Sequence, residues 1–201
     1  MESQNALEDQ NFHVVSFAKC YTKLLTKDNL IKRKWKVDNT CAFCDEKETG
    51  NHLFFLCLTA KYICSLLAYS LGTDSRPRDI DQYWIWVHNI LPQGSQMHAV
   101  GLSAVCWAIW RVRNTVCFDK KRIKTPTEII FMMCSFLTYW VGMLKDDLKQ
   151  QVIQGAKAVK MVALSFHKQD VQSYSTDDRQ LILLLAECQS SHLVYSLRQS
   201  W

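Results

Sequence analysis

Three cysteines and one histidine fall within the seventeen residues "CAFCDEKETGNHLFFLC" (41–57), spaced as Cys41-x2-Cys44-x7-His52-x4-Cys57. Thiolate and imidazole are the ligands zinc prefers, four in a tetrahedron with Zn–S near ~2.3 Å and Zn–N near ~2.0 Å. A cysteine pair separated by two residues can wrap a tight turn so that both sulfurs face one ion. His52 and Cys57 would close the tetrahedron from the other side. Core cysteines keep apolar company. These instead flank "DEKETGN", a polar, glycine-containing loop suited to reversing the chain without burying anything. The reading is one structural Zn2+, because four protein donors leave no open position for a catalytic water. Three thiolates around Zn2+ leave a charge of about −1, which Lys47 and the run Lys32–Lys36 can offset.

The elements that position these donors are constrained by geometry. Five residues along a continuous α-helix turn through roughly 500°, an offset of roughly 140°, so His52 and Cys57 would not share a face. The chain is expected to break near Leu56–Cys57 or to begin a fresh helix there.

A second kind of chemistry lies just upstream. Between Lys19 and Lys36, seven basic residues stand against one acid, Asp28, with Trp35 among them. Basic side chains can grip phosphates and an aromatic can stack a base. The candidate nucleic-acid-binding residues are Lys27, Lys32, Arg33, Lys34, Trp35 and Lys36. A second basic patch runs from Arg111 to Lys124, broken only by Asp119. The other histidines, such as His88 and His98, show no partner pattern, and Cys20, Cys64, Cys106, Cys117, Cys134 and Cys188 read as buried thiols.

The chain has 201 residues, 48 % hydrophobic and 21 % charged, with a formal charge of +5. That composition is ordinary for a globular protein and unlike a disordered one. The charge permits a nucleic-acid partner without demanding one. The cysteine count is nine, an odd number. With a polar start and no apolar leader, this points to an intracellular protein, nuclear or cytoplasmic and not secreted, with reduced thiols. "IIFMMCSFLTYWVGML" (129–144) is uncharged but shorter than the roughly 18 residues a span requires, so it reads as a core helix and no membrane is involved.

Few glycines and prolines and little alternation favour helices. Helical spacing marks 12–25, and Thr26 reads as the N-cap of "KDNLIKRK". A helix over 58–72 carries Tyr62, Leu66 and Tyr69 on one face and ends at Gly72. Further helices are expected over 79–91, from Ser95 to Phe118, and from Pro126 to about Gln150 or beyond. Trp107, Trp110, Asn114 and Phe118 recur at helical steps and read as a core stripe, with Arg113 stacked on Trp110 and Trp84 and Trp86 in the same core. The fold class is mostly α, with a small Cys3His zinc-binding loop between helices followed by a Trp-rich helical region. Short strands flanking the loop are the minor expectation. The domains are read as 12–72, 79–165 and a helical tail, 166–201.

The stretch "LLTKDNLIKRKWKVDNTCAFCDEKETGNHLFFLCLTAKYI" resembles the zinc-binding domain that follows the reverse transcriptase in plant LINE-type (non-LTR) retrotransposons. Thr26, Leu30, Cys41, Cys44, Glu48, His52, Leu53, Phe54 and Cys57 match that pattern. "WAIWRVRNTVCF" is similar to a Trp-x-x-Trp-x-x-Arg-Asn-x-x-x-Phe segment that often follows it, matched by Trp107, Trp110, Arg113, Asn114 and Phe118. The chain departs at Phe17, where the family usually has Trp, and at Leu25 and Leu58, where it often has Pro. The resemblance implies a detached tail of such an element; in an intact element the domain would help hold template RNA or target DNA near the polymerase.

"YSTDD" (174–178) is similar to the Tyr-x-Asp-Asp loop of reverse transcriptases but has one residue too many. Ser175 or Thr176 capping a helix over 177–189 accounts for it. With no nucleophile–base pair and no open metal site, neither an enzyme nor a small-molecule substrate is expected. The function read from the sequence is a non-catalytic zinc module binding RNA or DNA. The alternatives are a protein-interaction domain and an inert transposon remnant.

Overall fold

The computed structural model describes residues 24–73, 75–90, 95–120, 125–144 and 146–173. Residues 12–23 of the helix expected over 12–25 and all of that over 177–189, with Cys20, Cys188 and "YSTDD", lie outside the described residues, as do Lys19, Lys23, Lys121, Arg122 and Lys124; Leu24 and Leu25 are not helical. The chain divides into two compact units, each built from two separate stretches: Met1–Ala60 with Pro77–Arg122, and Lys61–Arg76 with Ile123–Trp201.

The first unit opens with α1 (Lys27–Lys32), a single short turn and a half. A hairpin closed by the antiparallel bridge between Thr40 and Lys47 follows. Among the described residues that bridge is all there is of the expected flanking strands. A π-helical turn, His52–Leu56, leads into α2 (Leu58–Ser70), which runs on into the second unit. The first unit resumes with α3 (Ile80–Ile90) and α4 (Ser95–Phe118), which pack on each other, and α4 also meets the π turn. Leu53, Phe54 and Phe55 supply the buried side of the π turn, and Leu102, Val105 and Ile109 that of α4.

The stripe expected to be core on α4 faces outward at its ends. Trp107 is 46 % exposed and Phe118 71 %. Ser103, Arg111 and Asn114 share that face at helical steps from Trp107, so it is the more polar side of the helix. Ala104, Ala108 and Val112 occupy the buried side instead, where small side chains allow close approach. Tyr83 contacts both Trp84 and Trp86, at ring-centroid distances of 5.4 and 6.0 Å.

In the second unit, α2 places Tyr62, Ile63 and Leu66 inside and ends where Gly72 adopts φ 68°. The Thr73 N–H reaches the Ala68 carbonyl at 3.0 Å and the Gly72 N–H that of Tyr69 at 2.9 Å, a Schellman ending. Pro126 precedes α5 (Thr127–Trp140), whose Ile129, Ile130, Met133 and Leu137 are buried, as a core helix requires. The single helix expected from Pro126 to Gln150 is in fact two. A 3-10 turn, Val141–Met143, and extended backbone at Leu144 (φ −92°, ψ 161°) end the first, and α6 (Asp146–Ser173) begins afresh and packs on α5. Among the described residues no helix is long and apolar enough to cross a membrane.

Candidate metal centre

Two backbone hydrogen bonds close the hairpin. The Cys41 N–H donates to the Glu46 carbonyl at 2.7 Å and the Glu48 N–H to the Asn39 carbonyl at 2.9 Å. Inside this turn the Phe43 N–H points at the Cys41 sulfur, 3.5 Å away, a contact that favours thiolate over thiol. Thr49 then caps the turn that carries the histidine. Its hydroxyl accepts from the His52 N–H at 3.0 Å and its carbonyl from the Leu53 N–H at 2.9 Å.

The π turn solves the five-residue problem. The Cys57 N–H donates to the His52 carbonyl at 2.6 Å, an i→i+5 bond that brings the two donors round to one side. Cys57 is extended (φ −57°, ψ 145°), and a fresh helix starts at Leu58, as the spacing required.

Cys41, Cys44, His52 and Cys57 thereby converge, with all four ligand atoms within 4.8 Å of one another. Cys41 and Cys57 sulfurs lie 3.9 Å apart, Cys57 and Cys44 sulfurs 3.7 Å, and the Cys44 sulfur is 3.2 Å from His52 Nε2. A tetrahedron with bonds of about 2.3 Å has edges of roughly 3.8 Å, so one Zn2+ fits between these atoms. Cys41 and Cys57 are buried while Cys44 and His52 are half-exposed. Cys41 is pushed up, first by the hydrogen bond it donates to Cys57 and then by burial, and that same bond pulls Cys57 down. Burial pushes Cys44 up.

The loop between the ligand pairs departs from expectation at one residue. Glu48 is 0 % exposed, so "DEKETGN" does bury a charge. Its carboxylate is met by Arg113 of α4, 2 % exposed: Nη2 donates to Oε1 at 2.6 Å and Nε to Oε2 at 3.2 Å. Oε1 also accepts the Lys27 N–H at 2.9 Å, capping α1 from 21 residues away. Thr26 occupies the N-cap position, but its hydroxyl donates to Asp28 rather than accepting from the backbone. Asp28 is held below the usual carboxylate range. Burial acts against this, and hydrogen bonds from Thr26 and Lys32 outweigh it.

Arg113 therefore cannot serve the second basic patch. Besides Glu48 it holds Asn114 Oδ1 at 2.9 Å and lies 5.1 Å from the centroid of the Trp110 ring, the stacking expected from the sequence. Sequence reasoning gave Glu48 no role because its partner lies 65 residues away. The signal available was that Glu48 and Arg113 each match a position of the two resembled segments, with nothing in the spacing to pair them.

Among the upstream basic residues, Lys27 turns inward, its ammonium 3.1 Å from Asp38 and 2.5 Å from the Thr40 carbonyl. Lys32, Arg33, Lys34, Trp35 and Lys36 are all exposed, Trp35 at 63 %. Cys64, Cys106 and Cys134 are buried thiols, and burial pushes Cys64 up to about 12 and Cys134 up to about 11. Cys117 is only half-buried.

Residues 9–63 match a family model described as zinc-binding in reverse transcriptase. No curated protein and no solved structure matches the chain. The matched segment contains all four metal donors, and its description agrees with the geometry: this is a zinc-binding module carrying one ion.

Proposed function

We propose that this chain is a non-catalytic module of a plant LINE-type retrotransposon reverse transcriptase, whose zinc is structural and which binds RNA or DNA. The observation that carries the nucleic-acid reading is the exposed run Lys32–Lys36. Four cations and an indole, 63 % exposed at Trp35, stand beside the metal hairpin. Phosphates pair with the cations and a base stacks on the indole. The closed set of four protein donors supports a structural ion, because a hydrolytic zinc keeps a position for water. The reduced thiols and the zinc chemistry fit an intracellular setting, nuclear or cytoplasmic.

The test is the salt dependence of binding to single-stranded RNA and DNA. Reversing the charge of Lys32, Arg33 and Lys34 together weakens binding to every sequence and flattens the salt slope. An unchanged slope removes these residues from the interface.

A protein-docking role is the second reading, favoured by the exposed Trp107 and Phe118 on α4. Capture of a protein partner by a chain that ignores nucleic acid at low salt would decide for it. An inert remnant would show neither.

A further inference from the structure

We propose that Arg113, outside the ligand set and outside the matched segment, is a positioning residue for the metal centre. The zinc-holding unit is then residues 24–60 together with α4, and the segment 9–63 alone is incomplete. The inference rests on the four donors holding zinc, and it deepens that reading.

Glu48 joins the two halves of the ligand set. Its N–H closes the hairpin that bears Cys41 and Cys44, through the Asn39 carbonyl at 2.9 Å. The next residue, Thr49, caps the turn that bears His52 and leads to Cys57. The angle between the halves is therefore fixed where Glu48 sits. Its side chain is fully buried, and a buried carboxylate is stable only when paired and hydrogen-bonded. Arg113 supplies two of the three hydrogen bonds described for it, the Lys27 N–H the third.

Remove the guanidinium, and the Lys27 N–H alone faces a full charge. The carboxylate then seeks water, and the loop that follows it to solvent carries Thr49 and the cap on His52 with it. The Cys41–Cys44 pair and the His52–Cys57 pair separate. Arg113 itself is braced from behind by Asn114 and Trp110, so its fork is aimed before the loop arrives.

The experiment uses the full chain loaded with Zn2+ and follows metal loss to a chelator, with Co2+ substitution reporting ligand geometry by its absorption. Arg113→Met is expected to release zinc faster by about tenfold or more, the scale of change seen when supports of metal ligands are lost. Arg113→Lys, which keeps the charge but not the fork, falls between. The double variant Glu48→Gln with Arg113→Met removes the buried charge yet keeps an acceptor for the Lys27 N–H, and retention recovers towards wild type. Val112→Ala, next to Arg113 in the same core, lowers thermal stability without changing zinc retention or the Co2+ spectrum.

If Arg113→Met does not fold, the lysine and double variants still decide the matter. Equal zinc retention in wild type and Arg113→Lys, no recovery in the double variant, or faster loss in Val112→Ala would each overturn the proposal while leaving the zinc centre standing. A wild-type chain that takes up no zinc overturns both.

Discussion

The Cys57 N–H reaches back five residues to the His52 carbonyl, 2.6 Å away, and this single wide turn gives the metal centre its second pair of donors. An α-helix would rotate the two ligands apart by roughly 140°. The extra residue in the ring returns Cys57 to the side of His52. Leu53, Phe54 and Phe55 are buried within it, so the turn is anchored by its own apolar residues while its ends serve the ion.

Spacing, and not only ligand identity, is then essential. An alanine inserted between Leu56 and Cys57 preserves all four donors but displaces the cysteine from the i→i+5 position. Zinc content by elemental analysis is expected to fall well below one per chain. Leu56→Ala, at an exposed position of the same turn, keeps it.

Loss of one sulfur is more severe. Zinc binding in small modules supplies on the order of 10 kcal/mol of folding free energy. In Cys44→Ser the hairpin loses the ion that joins it to His52 and Cys57, and its two backbone bonds, Cys41–Glu46 and Glu48–Asn39, no longer hold it closed. Stoichiometric zinc disappears, and hydrogen exchange of the Cys41 and Glu48 amides rises to the level of an open loop.

Acid acts on the same sulfurs. Zinc binds thiolates, so every thiol protonated in the free protein must release its proton on binding. Cys41 and Cys44 are both pushed up, Cys41 through its bond to Cys57 and Cys44 through burial. Affinity therefore rises with pH and falls as pH drops, by about tenfold per pH unit for each such thiol. Chelator competition at successive pH values checks both sign and slope. A flat profile between pH 6 and 8 would mean the sulfurs are not the ligands.

Which parts of this were legible beforehand follows from the range of each interaction. Cys41, Cys44, His52 and Cys57 announced themselves because their chemistry is local and their spacing tight. The helix Ser95–Phe118 was bounded correctly because its run is long and unbroken. The π turn was not, since spacing shows only that an α-helix fails and not what replaces it. Glu48 looked like a loop residue because Arg113, which makes its burial tolerable, is remote in sequence. Trp107 and Phe118 were placed on one face correctly but on the wrong side of the helix: Ser103, Arg111 and Asn114 share their face, while Leu102, Val105 and Ile109 mark the opposing, more apolar one. The break at Leu144 went unread although Lys145, Asp146 and Asp147 follow it, the last two being acids of the kind that favour a new helix N-terminus.

A local feature of the basic run gives a stability prediction. Lys34 sits at φ 65°, where its Cβ crowds the backbone, because α1 ends in a Schellman motif. Its N–H bonds the Ile31 carbonyl at 2.8 Å and the Trp35 N–H bonds that of Leu30 at 3.0 Å. Lys34→Gly relieves the crowding, partly offset by glycine's greater freedom when unfolded. A net gain of about 0.5 to 1 kcal/mol is expected in denaturant unfolding. Loss of one cation should also reduce the salt slope for a single strand by roughly 0.7.

That motif also decides how Trp35 meets a ligand. Its backbone is tied to Leu30, and the segment after it is tied at Asn39 to Glu48, while its indole stays 63 % exposed. An indole held in this way offers a flat face to an unstacked base, which a duplex does not present without disruption. Trp35→Ala is therefore expected to weaken single-stranded RNA or DNA by about 1 to 3 kcal/mol per stacked base. Duplex binding, carried by the cations alone, changes little. Fluorescence quenching of the wild-type chain by single strands, compared with duplexes of the same length, reads the contact directly. Equal losses on both forms would show that Trp35 supports the basic run from behind and stacks on nothing.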